Sequence, residues 1–332
     1  MKAHRCLAMA GAAALALTVA ACSSAGSTSS SASRGSSGDV TRLTIGSSPT
    51  ISNASLYYAS QSGLFAKNSL SITPDVLQSG AQAIPQLLNG QLQFAASDPL
   101  AALTAISKGL PVDIVAVGNV IASGQATDPS GLLAKAGGPI SSLADLNGKT
   151  VAVNAANSLA QVGLEAAIDA KGGNSKTVKW VEVPFPQMVV AVEKGIVAAA
   201  ATNEPFVTSG KHAGLIEVPY GGLSTTLAGV PQVVYLGTKS YVSSHPQVVN
   251  SFITSMNAAN AALTGNPAEI RAIGAKSTTT AAATLAKITL PTFGPPLSLA
   301  KLKELENLTV RYGVIKQPIA NLSGSVMTSG SN

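Results

Sequence analysis

Ile140-Ser141-Ser142-Leu143-Ala144-Asp145-Leu146-Asn147-Gly148-Lys149-Thr150-Val151-Ala152-Val153 is the stretch on which the fold turns. A helical turn ends at Gly148 and feeds at once into an apolar strand at 150–153, so a strand–helix alternation begins anew in mid-chain. Upstream, strands are expected at 43–45, 71–77, 94–96 and 112–117, with helices at 54–62, 82–89 and 99–108 between them. Gly63, Gly90 and Gly109 stop these helices, and Pro99 opens the third, which is where each residue type is tolerated. Downstream come helices at 158–170 and 188–194, strands at 178–183, 198–202, 215–218 and 232–236, then helices at 246–263, 267–276, 280–289 and 298–312. Strands alternating with helices at this spacing make an α/β protein with mostly parallel sheets covered on both faces.

The segment 124–138, which carries Gly and Pro, separates the two sets and reads as a crossing between lobes. The first end of the chain is of a different kind. Lys2 and Arg5 precede an uncharged run from Leu7 to Ala21, the n-region and h-region of an export signal. A bilayer span takes about 20 apolar residues, which this run lacks. Val19-Ala20-Ala21-Cys22 resembles a bacterial lipobox, in which the cysteine carries a diacylglyceryl anchor. Ser and Gly dominate 23–38, a composition too polar to fold, and as a coil it reaches on the order of 22 Å. Cys6 lies within the signal and no cysteine follows Cys22, so the mature chain has no disulfide.

The net charge of +6 over 332 residues is mild, and Lys2 and Arg5 leave with the signal. There is no Lys/Arg run and no basic–aromatic stripe, which argues against nucleic acid as a partner. No Walker loop, HExxH, GxSxG or CxxC pattern occurs, and no cofactor or metal is called for.

Four segments carry a resemblance. They are Ala54-Ser55-Leu56-Tyr57-Tyr58-Ala59-Ser60-Gln61-Ser62-Gly63-Leu64-Phe65; Leu88-Asn89-Gly90-Gln91-Leu92-Gln93-Phe94 with Lys108-Gly109 after it; the 140–153 stretch; and 188–195 with Glu204-Pro205-Phe206. In this order and spacing they resemble the SsuA/THI5-like (NMT1-like) substrate-binding proteins of ABC importers for nitrate, sulfonate, taurine or thiamine pyrimidine. Gln93 stands where that family usually has Asp. The resemblance implies a periplasmic-binding-protein fold of type II, with a ligand cleft between lobes 41–120 plus 222–332 and 121–221, after a signal at 1–21 and a lipidated tether at 22–40. It also implies a monomer, an ABC permease and ATPase as partners, and lipid anchoring at the extracytoplasmic face of a bacterial membrane. The family group includes a pyrimidine-related enzyme; its Cys-rich motif has no counterpart after Cys22, and His212 and His245 read as surface residues. A structural lipoprotein is the other alternative.

In open α/β sheets ligands lie beyond the carboxyl ends of the strands, where loops and helix N-termini aim free N–H groups into a crevice. That rule selects Ser47, Ser48 and Asn53 after the first strand, Gly80 and Ala81 after the second, Ser97 and Asp98 after the third, and Asn119 after the fourth. In the second set it selects Asn157, Ser158, Phe185, Asn203 and Glu204, and Tyr57 joins them from the first helix. Competing roles exist for several: a helix cap for Ser47, Ser48, Ser97, Ser158 and Asp98, and pairing with Lys211 for Glu204. None of these residues is Lys or Arg, and two are acidic. A desolvated anion is ordinarily met by cations or helix N-termini, so a small neutral, amine or N-heterocyclic ligand is favoured over a simple anion.

Overall fold

β1 (Thr41–Ser47) opens the computed structural model, which describes residues 40–48, 50–77, 82–124, 128–219, 222–278 and 280–327. A 3₁₀ turn (Ile51–Asn53) runs into α1 (Ala54–Gln61), and Gly63, at φ 76°, turns the chain into α2 (Leu64–Lys67) and β2 (Leu70–Val76). α3 (Ala83–Leu88), β3 (Phe94–Ser97), α4 (Pro99–Ser107) and β4 (Val112–Val120) complete the first set. After the crossing come β5 (Ser130–Lys135), β6 (Thr150–Val153), α5 (Leu159–Ala170), β7 (Lys179–Glu182), α6 (Phe185–Glu193), β8 (Ala199–Asn203), α7 (Phe206–His212) and β9 (Leu215–Glu217). The chain returns through α8 (Ser224–Leu227) into β10 (Pro231–Thr238). It ends in α9 (Lys239–Ser244), α10 (Pro246–Leu263), α11 (Pro267–Ser277), α12 (Ala282–Leu285) and α13 (Leu299–Arg311).

Two five-stranded sheets result, ordered β2-β1-β3-β10-β4 and β7-β6-β8-β5-β9. Each is parallel apart from one strand: β10 runs against β3 and β4, and β5 runs against β8 and β9. These are the first strands after each crossing. A strand arriving from the other lobe enters at the edge where its neighbours end, so its beginning, rather than its end, faces the cleft.

Successive strand side chains point to opposite faces, and both sheets use this period to build two hydrophobic layers. In the first sheet Ala95, Ile114, Val234 and Leu236 pack on one side with Leu103 of α4 and Leu302 and Leu305 of α13. Phe94, Ala96, Val115 and Tyr235 pack on the other with α10, where Phe252 stacks at 4.3 Å on Phe94 and 5.8 Å on Phe65. In the second sheet Leu132, Val151, Val153 and Ala199 face α5, while Leu133, Ala152 and Ala200 face α6 and α7. The N-terminal turn of α5 also joins the first sheet's layer, where Leu159 and Val162 meet Leu223 and Leu227.

Two expectations from the sequence are corrected. The helix expected at 280–289 is only the single turn α12, because Leu285 and Ile288 drop into a cluster with Ile51, Ile270 and Ile273 and the chain unwinds to deliver them. The crossing expected at 124–138 contains β5, a buried strand. Cys22 and the signal and tether segments lie outside the described residues, as do Gly80 and Ala81. Among the described residues, no helix is long and apolar enough to cross a membrane.

Candidate functional site

The carboxyl ends of β1, β3, β6 and β8 converge on a cavity of about 70 Å³, lined from one side by Ser48, Thr50, Ser52, Asn53, Ser97 and Asp98 and from the other by Asn154, Leu159, Phe185 and Asn203. Gln232 and Val233 at the start of β10 close it, next to Leu223. That volume, formed by the described residues, is below the ~300–1,000 Å³ of sites for drug-sized molecules.

Asp98 is the ionisable group among the described lining residues. Its Oδ1 accepts from Leu100 N at 2.8 Å and Ala101 N at 3.4 Å, capping α4, and its Oδ2 accepts from Leu159 N at 2.8 Å. Burial pushes its carboxyl up to about 6, against the opposing pull of these three amides. The rest of the polar lining is neutral hydroxyls and carboxamides. Asn53 is held from two sides, its Nδ2 donating to the Ser48 carbonyl at 3.0 Å and its Oδ1 accepting from Tyr235 Oη at 3.2 Å. Ser52 differs: its Oγ is buried and, among the described residues, has no hydrogen-bond partner.

Of the residues selected by the strand-end rule, Ser48, Asn53, Ser97, Asp98, Phe185 and Asn203 border this cavity. The others support it or lie aside. Ser47 shares a 3.2 Å hydrogen bond with Tyr57 Oη behind the wall. Asn119 Nδ2 donates to Gln232 Oε1 at 2.6 Å, and Gln232 Nε2 donates to Ser130 Oγ at 3.0 Å, a buried chain that ties β4 and β10 to the start of β5. Ser158 caps α5 through Gln161 N, and Asn157 is exposed. Glu204 does not pair with Lys211, which bonds Glu217 at 2.9 Å. Its oxygens accept from Thr208 N, Thr208 Oγ1 and, 85 residues away, Thr289 N at 3.1 Å, and burial raises its pKa above the ordinary glutamate value.

Thr50, Ser52, Asn154 and Gln232 were missed by the sequence reading. Asn154 directly follows β6, so the strand-end rule applied one position at a time would have found it. Gln232 was hidden because it begins an antiparallel strand.

A model of the NMT1/THI5 like family matches residues 50–270. The chain belongs to this family. No curated protein sequence matches it. Solved structures place the NMT1/THI5-like chain in the periplasmic-binding-protein fold. The alkanesulfonate-binding protein SsuA from Xanthomonas axonopodis pv. citri, bound to MOPS, is similar with a TM-score of 0.72 at 19% identity, over 87% of this chain and 99% of its own. The periplasmic nitrate-binding protein NrtA from Synechocystis PCC 6803 gives 0.72 at 14% identity, over 86% of each chain. The Candida albicans CA3427 gene product, described as having the generic periplasmic binding protein structural fold, gives 0.69 at 14%, over 87% of this chain and 97% of its own.

Proposed function

We propose that this NMT1/THI5-like chain is the solute-binding component of an ABC importer, held by a lipid on Cys22 at the extracytoplasmic face of the membrane. A small uncharged or amine-bearing solute enters between lobes 41–120 plus 222–332 and 121–221. Their closure about the crossings presents the loaded form to the permease and its ATPase. The observation that carries this reading is the cavity itself, which draws its lining from the strand ends of both sheets, so one small molecule touches both at once. Similar structures named for alkanesulfonate and nitrate agree with capture of a small solute. The site is read as binding rather than catalytic, since Asp98 is engaged by backbone amides and the other polar lining groups are neutral. With a Ser/Gly tether, encounter with the permease becomes nearly intramolecular.

The test is a thermal-shift and calorimetric screen of small amides, amines, pyrimidines, sulfonates and nitrate. A matching solute at a hundred times its Kd adds about 2.7 kcal/mol. If no compound stabilises the protein or shortens the distance between labels on the two lobes, the reading fails. Ser52→Ala sharpens it. An unpartnered buried hydroxyl costs stability, so its removal is expected to leave unfolding free energy unchanged or slightly higher. Solute affinity is expected to fall by roughly 3- to 10-fold, the worth of one hydrogen bond. Equal affinity in parent and variant would show that Ser52 does not touch the solute.

A further inference from the structure

Asp98 stands at the head of α4 in the first sheet's lobe, yet one of its oxygens serves the other lobe. Oδ1 caps its own helix through Leu100 N and Ala101 N, while Oδ2 accepts from Leu159 N at 2.8 Å, the first residue of the 12-residue helix α5. Leu159 and Ala160 border the cavity, so α5 begins there. The free N–H groups at such a helix start carry partial positive charge and attract anions. Here the attracting position already holds a carboxylate, supplied by the chain. No Lys or Arg is among the described residues lining the cavity, so nothing there offsets the Asp98 charge for a second anion.

We propose that Asp98 determines the specificity of the cavity: its carboxylate occupies the N-terminus of α5 in place of a ligand's anionic group, so the site rejects small oxyanions and takes an uncharged or cationic solute. This rests on the reading of the cavity as a solute site. The same carboxylate bridges the lobes, because its two oxygens serve helices that belong to different sheets.

The experiment removes the built-in anion and offers one from solution. Asp98→Ala frees the α5 amide; Asp98→Ser does the same while its shorter side chain keeps a cap for α4, which protects folding. Parent and variants, with folding checked by circular dichroism, are titrated at pH 8 and constant ionic strength with sodium nitrate and sodium methanesulfonate. Both variants are expected to bind at least one of these anions saturably and about tenfold or more tighter than the parent. Loss of a merely structural contact weakens a protein but does not create anion affinity. If the parent binds the anions as tightly as the variants, or if folded Asp98→Ser binds neither, the proposal is overturned. The natural solute plays no part in this measurement. A failed solute screen alongside a gain of anion binding therefore counts against the solute and not against Asp98, and the reverse pairing counts against Asp98 alone.

Discussion

Gly222→Ala is expected to lower the unfolding free energy by about 3 kcal/mol, through left-handed backbone strain together with a displaced carboxylate. Gly222 sits on the return crossing at φ 62°, where a β-carbon alone costs roughly 1–2 kcal/mol. That carbon would also meet Asp128 Oδ2 and lie 2.6 Å from Asp128 Cγ. Asp128 has little room to yield. Its Oδ1 accepts from Ser130 N at 2.9 Å, at the start of β5, and its Oδ2 accepts from Ser224 N at 2.8 Å, at the start of α8. One buried carboxylate thus straps the outgoing crossing to the returning one, and pushing it aside strips partners from buried amides, a loss of roughly 1–3 kcal/mol. Urea denaturation of Gly222→Ala, Asp128→Ala and the double variant checks the account. Because both changes break the same strap, the double variant is expected to lose clearly less than the sum of the singles. Strict additivity, or a loss below about 1 kcal/mol for Gly222→Ala, would refute it.

The strap also shows where sequence reading stops. The 124–138 segment stands out as a break, yet nothing local pairs Asp128 with an amide 96 positions away. Elements with strong periodicity or clear ends were legible: the strand at 150–153 and the helix at 246–263 have the boundaries expected of them. β5 was not, because its Gly131 and the preceding Pro129 read as loop punctuation. In the structure a β-carbon at Gly131 would lie 2.9 Å from Val207 Cγ2, so that glycine answers to the close approach of α7 rather than to a turn. The helix expected at 280–289 failed for the opposite reason. Alanine-rich propensity favoured it, and tertiary burial of Leu285 and Ile288, with Thr289 N donated to Glu204, overrode that preference. The strand-end rule reached six of the fifteen described residues lining the cavity because it needs only strand direction. It missed Gln232, whose strand runs the other way, and it cannot see that Asp98 crosses to Leu159, since that contact exists only when the two sheets' helices come together.

Burial of Asp98 at that contact makes stability depend on pH in a direction opposite to a surface ion pair. The carboxyl of Asp98 titrates near 6 in the folded protein, raised by burial, against an ordinary value of 3.8. The native state therefore binds a proton more tightly than the unfolded chain. Its stabilising effect is fully present below about pH 4, is lost as pH rises through about 6, and is constant above that. A shift of about two units corresponds to roughly 3 kcal/mol. Asp113, Asp128, Glu165 and Glu204 are raised by burial too, so the parent's own pH curve is a sum. Asp145, held down to about 2 by the amides and hydroxyls of Ser141 and Ser142, changes below this window. Subtraction isolates Asp98. The stability of the parent minus that of Asp98→Asn, from urea denaturation at pH 7.5, 6, 5 and 4, is expected to rise by about 2–3 kcal/mol as pH falls, because asparagine keeps a cap for α4 but does not titrate. A flat difference would mean that Asp98 is solvated as freely in the folded protein as in the unfolded chain. A difference that falls with acid would mean that the amides of Leu100, Ala101 and Leu159 outweigh burial, and the carboxylate would then tie the two lobes most strongly at neutral pH.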